Sequence, residues 1–268
     1  MSRLSLCMKK DRNEFLRSKK LGVSIVFLVA FMAFVLALTA VIPRLTQLIS
    51  VDIEQLASGI TAMVDFLKNY FPQILSESMA FYSTEIGLFY SILAIAFSFS
   101  VLPKEIKSGR LILPICNGYQ QKEIFLSKQL VYSTFCSVPA GISYFIYYLI
   151  GSTFLENDYS IGLALISALA TTINVFSIVA ITIALSVTYK HSALVIITMG
   201  LSVAASPDLL FFLPFGKFIP TYIFTYLNYS INDPMQLIIP IVEYAVIILL
   251  LDILVIKRKF AVVVDERR

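Results

Sequence analysis

Repeated apolar runs, each about 20 residues long, constrain this sequence more than any other feature, because that is the length a helix needs to cross the hydrocarbon core of a bilayer. Inside that core every backbone N–H and C=O must find its partner within the protein, so each run is read as a helix. Clear runs cover residues 21–42, 82–102, 129–151, 161–187 and 237–256. A further run, 193–215, is interrupted by Ser206-Pro207-Asp208. Ser caps a helix, Pro fits its first turn and Asp faces the positive end of its dipole, so this run is read as a broken element that crosses and then turns. Soluble domains carry about 25% charged residues. Here 14% are charged, 58% are hydrophobic and the mean hydropathy is +0.85, which excludes a soluble enzyme, a nucleic-acid-binding module and a disordered chain. The expected fold class is an all-α polytopic membrane protein, a single transmembrane domain over 1–268 with six transmembrane helices.

Lys and Arg gather in cytoplasmic loops, so their placement orients the crossings. Of the 21 such residues, only Arg44, Lys68 and Lys217 fall on one side; the others lie in 1–20, 103–128, 188–192 or the tail. Both termini are therefore expected to be cytoplasmic. Without the broken run, Lys257-Arg258-Lys259 would fall outside, so that run is counted as a crossing. The first run is longer than the apolar stretch of about 7–15 residues in a cleaved signal peptide, and it is expected to remain as an anchor. The localisation this implies is a prokaryotic cell membrane, multi-pass.

Residues 1–20 mix Leu4, Leu6, Met8, Phe15 and Leu16 with seven cations, the pattern of an interfacial helix with its apolar side in lipid. Within 43–80, Leu45, Leu48, Ile49, Ile53, Leu56 and Ile60 recur at helical spacing, which predicts an extracellular helical segment packed as a lid. The chain has no Trp, so Tyr must supply most of an interfacial aromatic belt, and 214–234 is rich in Tyr and Phe.

Acids inside a membrane are costly and are functional candidates by default. Glu85 near the outer end of the second run, and Glu243 and Asp252 in the last, are the three. Glu243 and Asp252 are nine residues apart, about 180° around a helix, so they cannot share one ion site. Asp252 lies a turn from Lys257-Arg258-Lys259 and is expected to pair there. Glu85 and Glu243 form the candidate translocation path of a stand-alone ion-coupled carrier or channel, the alternative reading. Catalysis finds no support. A zinc protease needs two His and this chain has one, His191; no G-x-S-x-G or phosphate-binding G-x-x-x-x-G-K-[ST] occurs. No catalytic residue, no metal ligand set and no bound cofactor are expected, and the three Cys are too scattered for a disulfide framework.

The loop 103–128 is the most informative stretch. It leaves the second run with Lys104 and Glu105, breaks at Ser108-Gly109, and presents Leu111, Ile112, Leu113 and Ile115 between charged flanks, a candidate docking surface. Glu105, Gly109, Leu111, Leu113 and Lys128 are spaced as in the loop of a known family: the chain resembles the permease subunits of type-2 ATP-binding-cassette (ABC) exporters, in the branch with a long extracellular segment after the first span. Arg110 stands where that family usually has Thr, and Asn117-Gly118-Tyr119-Gln120-Gln121 replaces its Pro-x-x-Arg turn. The resemblance implies a half-transporter. Two such subunits, identical or homologous, would pair in the membrane lipid, and each would seat one of two ABC ATPase subunits, which carry the ATP and Mg. Lys104, Glu105, Gly109, Arg110, Leu111 and Leu113 would form the coupling helix region. The cargo would be a peptide, lipid or other amphiphile, with no nucleic acid involved.

Overall fold

The computed structural model describes residues 3–52, 74–188, 195, 200 and 238–257. Helix α1 covers Arg3–Arg17 and α2 Lys20–Asp52. The next long apolar segment is built from α3 (Leu75–Glu85), a π-helical turn (Ile86–Tyr90) and α4 (Ser91–Ser98), and it continues into α5 (Val101–Ser108). A short α6 (Ile112–Cys116) leads to α7 (Gln121–Phe154), α8 (Ile161–Thr188) and α9 (Ile238–Lys257). Among the described residues no strand forms, and the single β-bridge joins Ile74 to Glu156.

Among the described residues, four helical segments have the length and composition to cross a membrane: Lys20–Thr39, Leu75–Ser108, Gln121–Phe154 and Ile161–Thr188. Helix α9 is equally apolar in most of its length but carries Glu243, Asp252 and Lys257. The broken run 193–215 lies outside the described residues apart from two helical positions, Val195 and Gly200. The first crossing helix does not stop at 42 but runs on to Asp52, and α7 starts eight residues before the apolar run, at Gln121. Most of the expected lid, 53–73, and the aromatic stretch 214–234 lie outside the described residues, as does His191.

The core is the antiparallel pair α7–α8, with α3 and α4 against it, α1 and α2 on α7, and α9 on α8. Small residues let α7 and α8 approach closely: a Cβ added at Gly141 would stand 2.0 Å from Thr172 Oγ1 and 2.9 Å from the Ala168 carbonyl. Such contacts matter in a membrane, where lipid is as apolar as the core and association rests on packing and hydrogen bonds. The outward surface is apolar, with Val26 on α2 69% exposed and Leu249 and Leu254 on α9 likewise exposed.

Among the described residues, tyrosines pack inside the bundle. Tyr82, Tyr90, Tyr144, Tyr147 and Tyr244 are fully buried between helices. Their rings fill space: Tyr147 shares a hydrogen bond with Ser78 at 2.5 Å and stacks on Tyr82 at 4.0 Å, and Tyr90 donates to the Cys136 carbonyl at 2.7 Å, whereas the buried Tyr82 hydroxyl has no hydrogen-bond partner. At the far end of the bundle Asp158 caps α3 from the α7–α8 connection, accepting bonds from the Ser76 N–H at 2.9 Å and the Ser76 hydroxyl. Slight burial pushes the Asp158 carboxyl up, but those bonds outweigh it and hold it below the usual carboxylate range.

Candidate functional site

The loop expected to dock a partner folds into two short helices with defined ends. Helix α5 closes in a Schellman turn: Arg110 N–H donates to the Glu105 carbonyl, Gly109 N–H to that of Ile106, and Gly109 takes φ +71°. That left-handed backbone is the physical reason for a glycine at this step. Pro114 sits in the first turn of α6, where a missing N–H is harmless. The sequence Asn117–Gln121 has its own logic. Gln120 and Glu123 form a reciprocal capping box, with Gln120 N–H donating to Glu123 Oε2 at 2.9 Å, so α7 starts there.

Lys128, two turns into α7, is the centre of the site. Its ammonium donates to Glu105 Oε1 at 2.7 Å and to Asp11 Oδ1 at 2.9 Å, and the Ser127 hydroxyl donates to Asp11 Oδ2. All three charges are buried: Lys128 is 1%, Asp11 3% and Glu105 8% exposed. Two carboxylates share one ammonium, and Glu105 Oε2 has no hydrogen-bond partner. The triad ties α1 to α5 and α7, elements far from it in sequence.

Helix α1 is held by the same face. Asp11 and Phe15 are one turn apart, and Phe15, fully buried, meets Tyr132 edge-on at 5.0 Å. Arg3 Nη1 adds a bond to the Gly118 carbonyl at 2.7 Å. Asp11 and Phe15 thus fix α1 on α7, while Leu6 and Leu16 stay exposed on the helix. The signal was present: Leu4, Met8, Asp11 and Phe15 share one helical face, and a lone acid on an apolar face needs a buried cation.

Two cavities flank Glu105 and Arg110, which line both. One, about 300 Å³, adds Leu6, Asp11, Leu111 and Lys128; the other, about 360 Å³, adds Lys20, Lys104 and Tyr132. Of the residues expected to couple to a partner, Lys104 and Arg110 are exposed, whereas Glu105 and Leu111 point into the protein. The exposed apolar side chains are Ile112 (55%) and Ile115. The Leu113 side chain lies outside the described set.

Glu85 and Glu243 are both partly exposed, on α3 and α9 respectively, helices whose main packing partners differ: α7 for α3, α8 for α9. Asp252 has a partner on α7. It accepts a bond from Gln129 Nε2 at 2.8 Å, and Gln129 also reaches the Ala180 carbonyl, joining α7, α8 and α9. Lys257 is five residues on, about 140° around the helix, and so faces elsewhere. Arg258 and Lys259 lie outside the described residues. No group of three or more His, Cys, Asp or Glu arranged for a metal occurs among the described residues.

The chain matches no protein-family model and no curated protein sequence.

Proposed function

We propose that this chain is the membrane-spanning permease subunit of an ATP-driven exporter of the type-2 ABC class, with six crossings and both termini cytoplasmic. Two copies, or one copy and a homologue, form the path, and each seats a separate ATPase subunit. The observation that carries this reading is the α5–α6 loop: clamped through Glu105 to Lys128 and α1, it holds Ile112 and Ile115 outward on a stiff support. A docking loop that must push a crossing helix needs that combination of an outward apolar contact and a rigid internal tie. The ion triad is the tie; the exposed isoleucines are the contact. Cargo is a peptide, lipid or other amphiphile, moved outward.

Because Glu105 and Leu111 are internal, charge changes there would test folding rather than docking. The discriminating variant is Ile112→Asp with Ile115→Asp. Purified in mild detergent from native membranes, the wild-type chain is expected to carry a near-stoichiometric protein with a phosphate-binding loop, and the double variant to lose at least about 90% of it at unchanged Tm, as central apolar contacts dominate such interfaces. No such partner on the wild type, or full retention by the variant, would sink the reading.

Sidedness has its own check. Cys116 is exposed on α6, Cys136 is buried, and burial followed by the charge of Asp11 pushes the Cys7 thiol up. A membrane-impermeant maleimide is expected to label Cys116 in inside-out vesicles and not in intact cells. Labelling in intact cells would reverse the orientation.

A further inference from the structure

The larger cavity beside the triad has the chemistry of an anion site at the depth of lipid headgroups. Lys20, Lys104 and Arg110 line it together with the hydroxyl-bearing Ser100, Ser108 and Tyr132. Glu14 and Glu105 are its two carboxylates, and Glu105 commits Oε1 to Lys128. Three cations thus face two acids, of which Glu105 has one oxygen on Lys128 and the other without a hydrogen-bond partner. Lys20 is held in place: its ammonium donates to the Phe97 carbonyl at 2.8 Å and stands 5.0 Å over the Tyr132 ring. An ammonium has three donors, so two remain for a ligand.

Position selects the ligand. Lys20 is the first residue of α2, and the outward face immediately beyond it is apolar, with Val23, Ile25 and Val26 exposed. On the other side α1 turns the exposed cations Lys9, Arg12 and Arg17 outward beside exposed Leu6 and Leu16. The cavity therefore lies where an apolar crossing surface meets a basic one, which is where the phosphate of a membrane lipid sits. A soluble anion would use the cations but not the adjoining apolar wall.

We propose that this cavity binds the headgroup phosphate of an acidic glycerophospholipid, with Lys104, Arg110 and Lys20 as its cation set and the acyl chains along α2. The proposal rests on the orientation argued above, since it places the cavity at the cytoplasmic leaflet. Its test needs neither ATPase nor nucleotide, so it can fail or succeed apart from the exporter reading.

The full-length chain in neutral detergent is titrated with phosphatidylglycerol or phosphatidylcholine and followed by native mass spectrometry and Tm. Wild type is expected to prefer phosphatidylglycerol by about tenfold, as a basic pocket at a headgroup plane should. Lys104→Ala with Arg110→Ala, both surface changes, is expected to lose that preference at unchanged lipid-free Tm, while Lys9→Ala with Arg12→Ala on α1 keeps it. Preference retained by the first variant, or lost equally in the second, overturns the cavity as the site. Inorganic phosphate or glycerol phosphate competing as strongly as the lipid would overturn the lipid assignment. Should Lys104→Ala with Arg110→Ala lower the lipid-free Tm, Lys104→Gln alone is titrated under the same criteria.

Discussion

Lys128→Met is expected to be the most damaging single substitution in the described structure. It removes the one ammonium between Asp11 and Glu105 and leaves two carboxylates buried beside each other. Breaking a buried ion pair from one side costs about 3–5 kcal/mol, because the remaining charge has neither water nor partner. A fall in Tm of roughly 10 °C in detergent follows for a chain of this size. The same principle predicts the rescue. With Asp11→Asn and Glu105→Gln added, no buried charge is left uncompensated, and most of the lost Tm should return. Transport should not return with it if the charged tie between α5 and α7 transmits motion. A Lys128→Met Tm equal to wild type would mean the triad contributes little; a triple variant no better than the single one would mean the loss came from packing.

The second large effect is steric. Gly141→Ala places a methyl 2.0 Å from Thr172 Oγ1 and 2.9 Å from the Ala168 carbonyl, distances real Cβ atoms do not reach. Thr172 cannot simply turn away without giving up its bond to the Ala168 carbonyl at 2.8 Å. Either α7 and α8 separate or the variant fails to fold, at about 1–3 kcal/mol or more for overpacking. Thr172→Ala removes the nearest atom, so the double variant Gly141→Ala/Thr172→Ala is expected to recover part of the loss. The Ala168 carbonyl still limits recovery. Thermal melts of the four proteins form a double-mutant cycle, and additive effects would show that the two helices do not meet at these residues.

What the sequence displays clearly is length and polarity. The apolar runs at 21–42, 129–151 and 161–187 each fall within one helix, and 82–102 falls within the helical segment Leu75–Ser108, because solvent choice acts on every residue of the run. Pairings between elements were not legible. Glu105 and Lys128 both stood out in the loop, but nothing in their spacing links them to Asp11, more than ninety residues earlier. For Asp252, sequence proximity pointed to the nearby cations and gave no sign of Gln129 on α7, from which it accepts a bond. The apolar loop residues sorted inward or outward only once Gly109 turned the chain: Leu111 went to the core and Ile112 to the surface.

The π-helical turn Ile86–Tyr90 carries a consequence for direction rather than strength. Buried positions along this crossing recur every four residues, from Ser78 and Met79 through Tyr82, Ile86 and Tyr90 to Ala94 and Ser98. An α-helix repeats every 3.6 residues, so over that distance its inward face would drift well away from α8. The widened turn absorbs one residue of the difference. Deleting a residue there would swing everything after it by roughly 100°. Ala94 and Ile95 would leave α8, and α5 would arrive with Glu105 aimed away from Lys128. One surplus residue in mid-crossing thus sets the compass bearing at which the distant loop meets its ammonium.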